Sequence, residues 1–269
     1  VALASGVTLG LPGIEVKDQT VGVIDIQNLL EARMGYRVDG ILGFGFITQF
    51  VTEIDYAQER LGLHDPKTFD YHGDGVAIPM GMDGSTPRIQ ATVTGFGAEP
   101  VTGYFMLDTG SGGAVSMTGP FANKHGIVET MPETVIYQGG GGVGGVSTSV
   151  IGRLQSVELG GLVFNEPVIS VSTDTAGSGA DENGAGLIGG RIMSRCKTFL
   201  DYAGQRLILE PYDNITAPFT WSKSGITLMT RGRNDFHHFE ICDLVADLPG
   251  EKAGLKKGDV LVEISGQPA

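Results

Sequence analysis

Phe105-Met106-Leu107-Asp108-Thr109-Gly110-Ser111 is the stretch on which the reading of this chain turns. Apolar residues of the kind that fill a strand lead straight into an acid, a hydroxyl residue, a glycine and a second hydroxyl. The strand Gly103–Leu107 is expected to be buried, with Asp108 standing at its end. Gly110 permits a tight turn and a close backbone approach. A carboxyl held this rigidly suits general acid–base work. Two carboxyls about 3 Å apart cannot both ionise, so they share a proton and divide into an acid and a base around a water. Thr109 is placed to hydrogen-bond across to a counterpart, and Ser111 to donate to the Asp108 carboxylate.

Outward from this motif the chain repeats itself. Gly40–Leu63 lies over Gly186–Leu209 without a gap, at an offset of 186 − 40 = 146. Identities fall at Gly40/Gly186, Gly43/Gly189, Thr52/Thr198, Asp55/Asp201, Tyr56/Tyr202, Ala57/Ala203, Arg60/Arg206, Leu61/Leu207 and Leu63/Leu209. Further upstream, Val7–Gly10 matches Val157–Gly160 at an offset of 157 − 7 = 150. The second copy carries a front half, from about Val76 to Val150, that includes Asp108. The equivalent of Asp108 in the first copy would fall upstream of Val1, so the chain is expected to start inside its first lobe.

Short β-branched or aromatic runs bounded by Gly, Pro or Asp predict an all-β unit. They are Val76–Met80, Arg88–Thr94, Gly103–Leu107, Leu162–Phe164 and Pro167–Val171. Short helices are expected over Pro120–His125, Ile192–Cys196 and, in the first repeat, Phe46–Phe50. The 43 glycines, without a collagen-like period, fit many tight turns. With 18 basic against 31 acidic side chains the net charge is −13, which argues against nucleic acid or an anionic membrane as the main partner. No apolar run is long enough to span a bilayer. Cys196 and Cys242 fall in different domains of this reading and are expected to be buried thiols rather than a disulfide. His237-His238 and the scattered His64, His72 and His125 show no metal-ligand spacing, and no cofactor is implied.

The Asp108 motif resembles that of the retropepsin/pepsin family of aspartic proteases, in which two hydrophobics precede Asp-Thr-Gly-Ser or -Ala. That family also has a later hydrophobic-hydrophobic-Gly element crossing behind the catalytic loop. Leu187-Ile188-Gly189 fits it in the second copy and Ile41-Leu42-Gly43 in the first. The resemblance implies acid-protease-like β-barrel lobes, duplicated, with Asp108, Thr109, Gly110 and Ser111 as the catalytic turn. It also implies a flap over a polypeptide substrate, and the glycine-rich run sits where one belongs. Its expected substrate-binding residues are Tyr137, Gly139, Gly140, Gly141 and Gly142. Asp174-Thr175-Ala176-Gly177 looks like a second catalytic turn, but it lies in a polar loop and has Ala where the turn needs Gly.

The tail from near Ile226 is similar to PDZ domains of the bacterial protease type. Lys252-Ala253-Gly254-Leu255 stands where those domains have Pro-Ala-Gly-Leu, followed by Lys257-Gly258-Asp259 and a strand ending at Ser265-Gly266. The expected domains are therefore 1–66, the C-terminal half of a first lobe; 67–214, a complete second lobe; and 215–269, the N-terminal part of a PDZ-like domain. A PDZ groove takes C-terminal peptides by strand addition, and Thr230–Phe236 would lie nearest its carboxylate loop. The function implied is an aspartic endopeptidase whose second Asp comes from the first lobe or a partner chain. An inactive peptide-binding scaffold is the alternative. By the same resemblance the compartment is extracytoplasmic, periplasmic or secreted.

Overall fold

Alternating apolar and polar side chains make strands, and strands dominate this chain. A computed structural model describes residues 2–25, 30–139 and 147–269. Its contacts divide it into two compact units, Ile47–Trp221 and Val1–Phe46 with Ser222–Ala269. In the latter, β1 (Ala2–Leu11) and β2 (Ile14–Val23) form an antiparallel hairpin. It turns at Pro12–Gly13, whereas the matching hairpin of the second copy turns two positions earlier in the alignment, at Gly160–Gly161. A Pro-Gly pair with Gly13 at φ 82° sets the turn more strongly than the flanking similarity does.

The larger unit contains β3 (Val51–Asp55), β4 (Arg60–His64), β5 (Val76–Asp83), β6 (Thr86–Thr94), β7 (Val101–Asp108), β8 (Val115–Met117), β9 (Val135–Gln138), β10 (Thr148–Arg153), β11 (Ser156–Leu159), β12 (Leu162–Asn165), β13 (Val168–Ser172), β14 (Gly186–Gly189), β15 (Cys196–Asp201) and β16 (Arg206–Pro211). Hydrogen-bonded neighbours run β4-β3-β15-β16-β5-β6-β7-β14-β8-β13-β10-β9, and β11 adds to β6 with β12 beyond it. All five predicted strands of this unit are present. Its main core is drawn from alternate positions of the strands, Ile89, Ala91 and Val93 of β6, Phe105 and Leu107 of β7, Ile169 of β13 and Ile188 of β14, and Val51, Phe199 and Ile208 form a smaller second cluster. Cys196 is buried in that core, where desolvation pushes its thiol up to about 12. Both cysteines are free thiols, and Cys242 is half-buried.

The short helix Gly119–Lys124 lies where one was expected, capped by the Thr118 hydroxyl. The other two sit two residues earlier than expected, at Gly190–Met193 and Phe44–Ile47. Cys196 is not helical but opens β15. That strand is paired on both sides, by β3 and β16, and the sheet claims residues 196–201.

The two hairpins that carry the sequence repeat match bond for bond. Thr52 pairs with Leu63 across β3–β4, and Thr198 with Leu209 across β15–β16. At the turns, Gln58 and Gly204 donate their N–H groups to Asp55 and Asp201, and Glu59 and Gln205 both take positive φ. The hairpins also pair with each other. Thr52 faces Leu200, Ile54 faces Thr198, and Glu53 faces Phe199 at the centre. Glu53 thus meets its own repeat equivalent, and the Thr52–Leu200 pair is mirrored by Thr198–Ile54, as a local two-fold axis requires.

Glu53, only 5% exposed, sits at that centre with Lys197 at 3.0 Å, Arg60 at 2.9 Å and His64 at 2.8 Å. Burial by itself would raise its pKa. The hydrogen bonds from Lys197, His64 and Arg60 outweigh burial and hold it near 2.

In the smaller unit, β17 (Ile226–Met229), β18 (Phe239–Leu244) and β19 (Val260–Leu261) form an antiparallel sheet. Between β17 and β18, Arg233 is already committed. Its Nε donates to the buried Glu31 at 2.7 Å and its Nη2 to Asp39 at 3.0 Å.

A carboxylate whose folded pKa is depressed contributes stability above its unfolded pKa and loses it as pH falls through the folded one. Glu53 should therefore stabilise the larger unit fully above about pH 4.5 and progressively less toward about pH 2. Glu53→Gln is expected to cost about 2 kcal/mol at neutral pH and to flatten this part of the acid unfolding curve. Urea melts of both forms between pH 7 and pH 3 read the difference.

Candidate active site

β7 alternates as a half-buried strand should, with Phe105 and Leu107 inward and Tyr104 outward. It delivers Asp108 to its end, half-buried, and the chain then turns through the exposed Thr109 and Gly110. Gly110 N–H donates to Asp108 Oδ1 at 2.9 Å, and Ser111 N–H donates to the Asp108 carbonyl at 3.2 Å. The Ser111 hydroxyl plays a different part from the expected one. It accepts from Gly113 N–H at 3.4 Å and makes no hydrogen bond to Asp108. The turn folds Ser111 back over its own loop and so supports the loop instead of the acid.

β14 runs between β7 and β8, parallel to the first and antiparallel to the second. Gly189 pairs with Asp108 itself. From the last residue of β14 onward, Gly189 N–H donates to Ala114 O at 2.9 Å, Gly190 N–H to Ser111 O at 2.8 Å and Arg191 N–H to Gly113 O at 3.1 Å. Three successive backbone donors therefore hold the carbonyls of the loop that follows the acid. At two positions the approach leaves no room for a Cβ. A Cβ on Gly189 would lie 2.5 Å from Gly113 O and 2.9 Å from Ser111 Oγ. At Gly186 (φ +139°) a Cβ would collide with Ser116 O, and L side chains rarely adopt that backbone. This is the physical content of the Leu187-Ile188-Gly189 element read from sequence.

Tyr137 and Gly139 belong to the β9–β10 hairpin, in which Tyr137 faces Ser149 and Gly139 N–H donates to Ser147 O at 3.1 Å. Four strands separate β9 from β7 in the sheet. Gly140, Gly141 and Gly142 lie outside the described residues. The Tyr137 ring meets Trp221 edge-on, with centroids 6.2 Å apart, a contact that nothing in the local sequence announces. Asp174 also has a role missed by the sequence reading. Its carboxylate accepts from Ser147 Oγ at 2.6 Å and Thr148 N–H at 3.2 Å, which holds it below the usual carboxylate range and pins the base of this hairpin. Among the described residues no group of three His, Cys, Asp or Glu side chains could hold a metal ion.

Residues 89–192 match the family model described as aspartyl protease. The matched segment starts in β6 and ends in the helix after β14, so it holds both the Asp108 turn and the glycines that cross behind it. Among solved structures, a retropepsin-like aspartic protease from Rickettsia conorii is similar at 23% identity and a TM-score of 0.35, covering 51% of this chain and 100% of that one. No curated protein matches the chain. The site-bearing segment is therefore similar to aspartyl proteases, and a peptidase is the activity class that this similarity supports.

Replacing Gly189 by Ala forces a methyl group onto the carbonyl of Gly113. Overpacking of this kind costs about 1–3 kcal/mol. The variant is expected to melt at lower temperature than the wild type in a calorimetric scan. Gly161→Ala, where a Cβ meets nothing within 4 Å, removes a glycine without such a clash and calibrates the cost of its positive φ alone.

Proposed function

We propose that this chain is an aspartic endopeptidase in which Asp108 is one member of a catalytic carboxyl pair. The observation that carries this reading is the Asp108 turn, set at the end of a buried strand, tied by Gly110 N–H and braced from behind by the backbone of Gly189–Arg191. In the proposed reaction one carboxylate takes a proton from a water held between the pair. The resulting hydroxide attacks the peptide carbonyl while the other carboxyl protonates its oxygen. Collapse of the tetrahedral species expels the amine, which leaves with a proton from the pair. Gly110 N–H orients the Asp108 carboxyl, and Thr109 and Ser111 shape the turn.

The second carboxylate is assigned to a first lobe related to this one by the sequence repeat, or to a partner chain. The local two-fold pairing of β3–β4 with β15–β16 supports the intramolecular arrangement, because it relates the two repeats across the sheet as two lobes would be related. Tyr137 and Gly139–142 are proposed to cover the substrate from the β9–β10 hairpin. The PDZ-like reading of the tail, with a C-terminal peptide as its ligand, and the extracytoplasmic compartment belong to the same proposal. They rest on sequence resemblance.

Cleavage of an unfolded protein substrate by the wild type and by Asp108→Asn tests the proposal. Loss of a positioned acid–base group should lower turnover by about 10³-fold, and a pepstatin-like inhibitor should block the wild type. Equal turnover by the two forms would remove Asp108 from the mechanism. Peptide binding without cleavage by the wild type would favour a scaffold.

A further inference from the structure

Three arginines hold the segment after β16 by its carbonyl oxygens. Arg195 Nη1 donates to Ile215 O at 2.8 Å, Arg153 Nη2 to Phe219 O at 2.9 Å and Arg191 Nη1 to Thr220 O. A guanidinium fork pairs most strongly with a carboxylate or phosphate. Among the described residues, though, none of the three forms an ion pair, in a chain of net charge −13.

Arg195 is the unusual one. It is only 8% exposed, and its guanidinium stacks 3.5 Å over the Phe219 ring. Beyond the bond to Ile215, its Nε and Nη2 have no partner among the described residues. Neither atom belongs to the fully enclosed polar atoms that lack a partner, which are Thr52 Oγ1, Arg88 Nε and His238 Nε2. Both are therefore reachable by solvent. Arg195 lines a cavity of about 240 Å³ together with Arg191, Ser194, Asn214, Phe219 and Thr220, with Ala217 and Pro218 completing its wall. No acid lines it, and the neighbouring Asp213 pairs with neither arginine.

We propose that this cavity binds a small oxyanion, a carboxylate or a phosphate, between the guanidinium groups of Arg195 and Arg191. Ser194 and Asn214 line the same wall, and both residue types carry neutral donors. A largely buried guanidinium with two nitrogens unpaired is a strong partner for an anion that completes its fork. Burial indeed pulls the Arg195 guanidinium below its usual range. The volume suits a phosphate, or a chain-terminal carboxylate with the residue that bears it, and lies below the size of sites for larger ligands. The site is distinct from the Asp108 turn and stands whether or not that turn cleaves peptides. The two are nevertheless joined by backbone hydrogen bonds. The one-turn helix that presents Arg191 also donates Gly190 and Arg191 N–H groups to Ser111 and Gly113.

The test is isothermal titration of the full chain with inorganic phosphate and, separately, with a short peptide bearing either a free or an amidated C-terminus, at constant ionic strength. One-site saturation is expected. Arg191→Gln and Arg195→Lys should each weaken it by about tenfold or more, as loss of a charge-assisted fork implies. Arg153→Gln is the internal control, since Arg153 holds the same segment without lining the cavity. It should bind like the wild type. Far-UV circular dichroism confirms that each variant is folded, and Arg191→Gln, at an exposed position, keeps the test decisive if Arg195→Lys is not. Saturation by phosphate alone identifies a free-phosphate site, and saturation by the free-terminus peptide alone a chain-terminal carboxylate site. No saturation below about 10 mM, a free energy of less than about 3 kcal/mol, or equal affinity in Arg191→Gln and the wild type, would overturn the proposal. The three arginines would then serve only to fasten the segment.

Discussion

β14 is threaded between β7 and β8 so closely that a Cβ at Gly186 or at Gly189 would strike backbone, and the arrangement of the acid depends on that close approach. Gly186 and Gly189 are the positions where a Cβ would strike backbone, so the glycine requirement is steric and local. Once β14 is in place, its outgoing N–H groups meet the carbonyls of Ser111, Gly113 and Ala114. Each such bond contributes about 1 kcal/mol net. Their larger effect is to fix the loop with rigid backbone donors, which have no rotamers to lose. A side-chain brace would pay conformational entropy for the same service. The acid is thus oriented by strands and glycines, and the side chains around it are left to chemistry.

The parts of this design that sequence revealed are those written in contiguous residues. Phe105–Ser111 encodes a strand, an acid and a turn within seven positions. The repeat encodes the same hairpin twice, and the pairing registers of β3–β4 and β15–β16 agree with the alignment at an offset of 146. The misreadings share a cause, which is competition from outside the local stretch. The helix expected over Ile192–Cys196 starts at Gly190, because β15 is claimed by strands on both its edges. Val7–Gly10 resembles Val157–Gly160, yet Pro12–Gly13 sets a different hairpin turn. Ser111 has the right identity to serve the acid, but the loop turns its hydroxyl to Gly113. The clamp of Asp174 on Ser147 and the cavity beside Arg195 join residues distant in sequence, and no motif at either place foretells them.

The pairing of β3 with β15 has a consequence for how the chain is made. Its two strands are separated by 146 residues, the offset of the central pair Glu53 and Phe199. At ordinary rates of ribosomal elongation, β3 waits on the order of ten seconds for its partner to emerge. Through that interval its open edge is a template for any matching strand, and the best match on a neighbouring nascent chain is another β3. In the symmetric register such a pair would set Glu53 directly against Glu53, two like charges that destabilise an antiparallel contact. The proper partner offers Phe199 across the strand and the Lys197 ammonium to neutralise the acid. A single carboxylate at the symmetry centre therefore disfavours the homotypic register relative to the heterotypic one, in which the Lys197 ammonium joins Arg60 and His64 around it.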